Sequence, residues 1–270
     1  VGRYPLHISD YDKTVLAIRD GEFDAFKNLY PRVSDQTDDL LIEVAGRPGV
    51  VGGNMTLMLL AAADRFSPDA YLTACKRAVE TGDSQRVQTL VKEAKNLLAE
   101  QAPSLPGEVI LYAYTDGHRS IAKDLITQCT PEQIAAAPPK LLRWAAEKLD
   151  FQTAVDLVDK GAQPGDEAAG ILRALTGQRQ EWMAEHLLER GMPVEPDNYA
   201  ALYACVSNQA PGTAKLLLDH GMDLEKYKAW AEYRPKGEGY AETMEELAAY
   251  WSEPRNSPRP EDSPMGGMSL

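Results

Sequence analysis

One phrase returns along the chain at a fixed interval and narrows the fold before anything else does. An apolar run, two polar residues and a glycine appear as Val158-Asp-Lys-Gly161, Leu188-Glu-Arg-Gly191 and Leu218-Asp-His-Gly221, with the glycines 30 residues apart. Each run (Ala154 to Val158, Met183 to Leu188, Ala214 to Leu218) suits the last turns of a helix. A glycine just beyond is the common helix stop, because it enters the left-handed conformation without a Cβ clash. Repetition at about 20–50 residues is the mark of stacked-repeat architecture. The expected fold is therefore all-α, a solenoid of stacked helix-turn-helix units.

The same pairing extends toward the N-terminus. Thr14 to Asp20 and Asp24 to Tyr30 flank Gly21; Tyr71 to Glu80 and Arg86 to Leu98 flank Gly82-Asp83; Val109 to Thr115 and Ser120 to Gln128 flank Gly117-His118. Further pairs follow at Lys140 to Leu149 with Gln152 to Lys160, Glu167 to Leu175 with Glu181 to Arg190, and Tyr199 to Val206 with Gly212 to His220. First helices carry small residues near their ends (Ala17, Ala78, Ala113, Ala145, Ala174, Cys205), which allow close approach. Second helices carry apolar residues at spacings of three and four. Helices of about ten residues are marginal alone, so stacking must stabilise them.

The boundaries expected from this pattern are residues 1–33 for an N-terminal segment and first repeat, and 69–224 for five helix pairs. Residues 34–68 fit less well: Asp35 to Glu43 starts acidic and becomes apolar, and Met55 to Ala63 is a helix candidate ended before Ser67-Pro68. Gly46-Arg-Pro-Gly49-Val-Val-Gly52-Gly53-Asn54 reads as a Gly-rich loop inside an irregular or degenerate repeat. Residues 225–251 read as closing helices, with Glu242, Glu245 and Glu246 giving a terminal cap its polar outer face. Residues 252–270, rich in Pro, Ser and Gly, read as a disordered tail.

These residues resemble the ankyrin repeat family. The stretch from Ala201 to Leu224 looks like the family's first helix, turn and "KLLLxHGAD" ending. Ala17-Ile-Arg-Asp-Gly21, Ala78-Val-Glu-Thr-Gly82 and Ala113-Tyr-Thr-Asp-Gly117-His118 look like its "AAxxGH" turn. Two departures stand out. The "TPLH" opening is absent, with Tyr203 or Arg143 where its histidine would fall, and the 30-residue spacing is shorter than the family's usual unit of about 33. Connections such as Ala162-Gln-Pro-Gly-Asp166 are too short for full β-hairpin fingers, so truncated or absent fingers are expected. Other helical solenoids stay open as alternatives.

The resemblance implies partner binding along a concave face, through residues just before each turn: Arg19, Asp20, Glu80, Thr81, Thr115, Asp116, Glu147, Lys148, Ser207 and Asn208. Asp20, Glu80, Asp116 and Glu147 would form a broken acidic line that attracts a basic segment. The plain alternative is a row of solvated turn residues. Tyr112, Trp144 and Tyr203, with Tyr114 and Tyr199, are either interface anchors or packing between units, and packing is the simpler reading.

Charge and composition limit the function classes. The 270-residue chain has a formal net charge of −13, which argues against nucleic acid as a partner. No apolar run approaches the length of a membrane span, so no membrane role is expected. Cys75, Cys129 and Cys205 are far apart and form no metal-ligand or disulfide pattern, pointing to a reducing, cytoplasmic or nuclear location. Residues 1–5 show no secretory h-region. No metal, cofactor or catalytic set is expected: His118 and His220 fall at structural turn and helix-end positions, and the Gly46–Gly53 run lacks a phosphate loop's Gly-Lys-Ser/Thr ending. Ser257-Pro and Ser263-Pro are candidate phosphorylation positions.

The expected function is a non-enzymatic scaffold or adaptor that binds a protein. An alternative is an enzyme or small-molecule binder with an aromatic-lined cavity in the solenoid. A third reading uses residues 34–68 as an arm for self-assembly.

Overall fold

A computed structural model describes residues 8–62, 66–98, 102–148, 150–176, 181–194 and 199–253. The expected disordered tail beyond 253 and its two Ser-Pro sites fall outside them. Among the described residues the secondary structure is helical, with no strand. No helix there is long and apolar enough to cross a membrane. The chain divides into two compact units, residues 1–138 and 139–270.

The first unit is built from α1 (Asp10–Asp20), α2 (Phe23–Leu29), α3 (Thr37–Ala45), α4 (Gly49–Ala62), α5 (Pro68–Glu80), α6 (Ser84–Leu98), α7 (Leu105–Thr115), α8 (Arg119–Gln128) and α9 (Pro131–Ala135). Within each successive pair the two helices pack together, and the pairs then stack in two rows. One row runs α1, α3, α5, α7; the other runs α2, α4, α6, α8. Fully buried Ala17, Val44, Ala74, Ala78 and Ala113 line the first row, where small side chains let the helices come close.

The second unit holds α10 (Lys140–Glu147), α11 (Phe151–Asp159), α12 (Ala168–Ala174), α13 (Glu181–Glu189), α14 (Ala200–Ser207), α15 (Pro211–Asp219), α16 (Leu224–Ala231) and α17 (Tyr240–Ser252). Here too one row runs α10, α12, α14, and the other α11, α13, α15, α17. Where hairpin fingers were expected to shrink, the chain after Pro164 makes a single 3₁₀ turn, Gly165–Glu167.

The recurring glycines do what their spacing predicts. Gly161, Gly191 and Gly221 have φ of 91°, 85° and 105°. Each donates its N–H to the carbonyl three residues back, while the next residue donates to the carbonyl five back. For Gly161 these are Val158 at 2.8 Å and, from Ala162, Leu157 at 2.9 Å. This pair of bonds satisfies carbonyls that the helix end would leave open. Gly21, Gly82 and Gly117 close α1, α5 and α7 in the same way. At the end of α14 a non-glycine takes the position: Gln209 has φ 54°, and its side-chain amide donates to Glu238 O at 3.2 Å.

Residues 34–68 differ from expectation. Their described residues hold an ordinary helix pair, α3 and α4, and Gly49 to Asn54 lie inside α4 rather than in a loop. Gly52 faces inward, where an added Cβ would sit 2.0 Å from Arg47 O. The glycine is there for close backbone approach, which a sequence alone does not separate from looseness. Helix α9, opened by a Thr130/Gln133 capping box, is an addition the repeat pattern did not predict.

The three cysteines are buried and form no disulfide with one another. Burial raises the thiols of Cys75 and Cys205 to about 12.

Candidate functional site

The thirteen expected site residues divide between the units. Arg19, Asp20, Glu80, Thr81, Tyr112, Thr115 and Asp116 belong to the first; Trp144, Glu147, Lys148, Tyr203, Ser207 and Asn208 belong to the second.

In the first unit the C-terminal ends of α1, α3, α5 and α7 lie side by side, because those helices are consecutive in one row. Their last-turn side chains form a ledge. Arg19 Nη2 stands 3.5 Å from Glu43 Oε1, linking α1 to α3. Arg77 pairs with Glu80 at 3.2 Å, and Glu80 also accepts a 2.9 Å hydrogen bond from the Tyr112 hydroxyl, linking α5 to α7. The Lys76 ammonium lies 5.6 Å from the centre of the Tyr112 ring. Partial burial, and then the bond to Glu80, raises the Tyr112 hydroxyl to about 12. Asp116 faces His118 at 3.4 Å. Thr81 and Thr115 turn back to their own helices, donating to Ala78 O at 2.8 Å and Tyr112 O at 3.0 Å.

A cleft of about 380 Å³ opens in this ledge, lined by Arg19, Glu43, Gly46, Arg47 and Arg77 among others. Arg47 reaches across it to donate to the Arg19 carbonyl. Three guanidinium groups against one carboxylate give the cleft local positive charge in an acidic chain. The helix ends explain part of this, since the carbonyl end of a helix favours a cation. The acidic line expected from sequence is thus a ledge of alternating sign. Glu80 and Asp116 face partners, and only Asp20, exposed at the end of α1, has none among the described residues.

The second unit spends its candidate residues on packing. Arg143 bridges Glu147 at 2.7 Å and Glu167 at 2.6 Å, so Glu147 too is neutralised. Those two carboxylates raise the Arg143 pKa further. Lys148 lies 5.6 Å from the Trp144 ring centre. The Tyr203 hydroxyl donates to Pro235 O at 2.5 Å, and its ring meets Trp230 edge-on at 6.1 Å. Asn208 donates to Thr176 Oγ1 at 2.6 Å. The Ser207 hydroxyl is buried without a partner among the described residues. Tyr199 packs on both Tyr227 and Trp230, and the Arg234 guanidinium lies 3.7 Å from the Trp230 ring centre. This aromatic group joins α14 to the closing helix α16 and leaves Tyr199 and Tyr227 buried.

Sequence reading missed Glu43, Arg47, Lys76 and Arg77. The Arg77/Glu80 pair, three apart on one helix, was visible as a spacing. Arg19 with Glu43, from neighbouring pairs, depends on how α1 and α3 are placed and leaves no local signal. Among the described residues no three His, Cys, Asp or Glu side chains come together to hold a metal. The chain matches no protein-family model, no curated protein and no solved structure.

Proposed function

We propose that this protein is an ankyrin-like scaffold, without enzymatic activity, that binds a protein segment along the ledge of its first unit. The observation that carries the reading is the side-by-side placement of Arg19, Glu43, Arg77, Glu80 and Tyr112 on four successive stacked pairs. The ledge is polar, exposed and preorganised by its own bonds, so a partner meets side chains already held in place, which lowers the ordering cost of binding. Alternating charge favours a segment that carries both signs over a purely basic one. Its acidic groups would face Arg19, Arg47 and Arg77, and a basic group would face the exposed Asp20, which has no partner among the described residues.

The reading as an enzyme or small-molecule binder rests on aromatic rings lining a cavity. Tyr114 and Tyr199 are buried in the packing, and the Tyr203 hydroxyl is used by Pro235, so these rings support packing instead.

The test is affinity capture with the full chain, compared with Arg77→Glu and with Asp20→Lys. A control, Lys123→Glu, carries a charge change on exposed α8. A specific partner is lost from the ledge variants and kept by the control. Equal capture by all forms defeats the proposal.

A further inference from the structure

The stacking places α4 in the second row, whose other members show charge to solvent: Asp24 and Lys27 on α2, Lys92 on α6, Lys123 and Asp124 on α8 are all exposed. Helix α4 does not. No charged residue occurs between Arg47 and Asp64. Its buried side is Gly52, Met55, Thr56 and Leu59. The opposite side presents Val50, Asn54, Leu57 and Ala61, one stripe at spacings of three and four, with Val50 79% and Leu57 54% exposed. A helix that is apolar on every side ordinarily has every side covered.

Gly53 lies on the edge of this stripe and adds a separate observation. Unlike Gly52, it has room: the nearest atom to an added Cβ would be Arg86 Nη2, 3.9 Å away. Nothing inside the unit requires a glycine there, yet glycine in a helix interior costs about 0.5–1 kcal/mol relative to alanine. A flat spot beside Asn54 and Leu57 is what a second helix crossing at short range would use.

We propose that the outer face of α4 is a self-association surface, on which two copies of this chain pack α4 against α4 about a two-fold axis with Asn54 facing Asn54. Two features select a second copy over another occupant. A chain of net charge −13 repels its own copies overall, and the outer face of α4 carries no charge to add to that repulsion where two copies meet. The lone polar group at its centre is an amide, which both donates and accepts and is therefore complementary to its own symmetry mate. A single asparagine within an apolar helix seam also fixes register. The helix is short, about 21 Å at 1.5 Å per residue. The contact is accordingly smaller than a standard interface and the dimer weak and concentration-dependent.

Sedimentation velocity on the full chain, from about 1 to 500 μM, tests this. The expected result is a monomer at the low end and a dimer at the high end. Leu57→Glu, at a half-exposed position, should raise the dimer dissociation constant at least about tenfold, as two carboxylates would enter the contact. Val50→Lys serves as a second disrupting variant should Leu57→Glu disturb the helix content seen by circular dichroism. Asn54→Cys should form an intermolecular disulfide on mild oxidation at high concentration, because the native thiols are buried. A monomer at every concentration overturns the proposal, including a monomer that binds neutral lipid vesicles or another protein through α4. A dimer unaffected by both disrupting variants overturns it as well.

Discussion

Residues 1–138 hold a buried tie between neighbouring helix pairs beside the exposed ones of the ledge, whereas in residues 139–270 the ties along the second row lie at the surface. The inner tie is Arg86 at the start of α6, only 3% exposed. Its guanidinium donates to Ala45 O at 2.9 Å, to Gly49 O at 2.9 Å and to Arg47 O, and pairs with Asp83 at 2.9 Å. One side chain thereby satisfies the end of α3 and the start of α4. The outer ties lie on the second row of the other unit: Asp159 with Arg190, Lys215 with Glu246 at 2.6 Å, and Asp219 with Tyr250 at 2.6 Å. Each of these joins residues 31 apart, one more than the 30-residue interval of the glycines, so contact follows the repeat to within a residue. A buried tie is costly to remove, and exposed ones contribute little each.

The largest test of that contrast is Arg86→Met. It leaves three carbonyls without their guanidinium donor and Asp83 with only the backbone N–H of residue 86, and should cost the first unit about 3–5 kcal/mol. All four tryptophans (Trp144, Trp182, Trp230 and Trp251) belong to the second unit. Urea unfolding followed by both circular dichroism and tryptophan fluorescence therefore separates the units. The variant should bring an early helix-loss phase while the fluorescence midpoint stays put; a shift of both would break the comparison.

Alkaline pH comes next. Tyr71 is fully buried, its hydroxyl has no partner among the described residues, and burial raises it to about 12. Below pH 10 the folded and unfolded forms are equally neutral. Between pH 10 and 12 the unfolded tyrosine ionises first, so stability is lost as pH rises, by about 2–3 kcal/mol at 1.36 kcal/mol per unit. Tyr71→Phe should remove this part of the alkaline loss without harm at pH 7, which circular dichroism melts across pH would show.

Gly52→Ala should cost about 1–3 kcal/mol, since the new methyl meets Arg47 O. Gly53→Ala, lacking that clash, should leave the monomer no less stable. Equal losses from the two would mean that α4 is seated differently. Smallest is Arg190→Ala in the second unit, expected to cost at most about 1 kcal/mol and to lose even that in 1 M salt. A loss there as large as that of Arg86→Met would erase the distinction between inner and outer ties.

What the sequence revealed follows the same divide. Helix stops at Gly161, Gly191 and Gly221 are local chemistry, and every helix they end was legible. In α4 the helix from Met55 onward was legible, but Gly49, Gly52 and Gly53 carry the composition of a loop and hid its first turns; at Gly52 the reason for glycine is the approach of Arg47 O. At the site, the positions of Glu80 and Tyr112 were legible as ends of first helices, but their mutual bond was not. The acidic line was incomplete for a related reason: Arg77 and Arg143, one turn away on the same helices, pair with Glu80 and Glu147. Intervals show which helices exist; only their placement decides which charges meet.

The buried thiols give each unit its own clock. Cys75 sits in α5 and Cys205 in α14, one per unit, and both are held protonated and out of reach of solvent. An alkylating reagent reacts with thiolate, so labelling waits for an opening of the surrounding helices. The rate at each cysteine then measures how often its own unit opens under native conditions, without denaturant or an added probe. Arg86→Met should quicken labelling at Cys75 and leave Cys205 at its former pace.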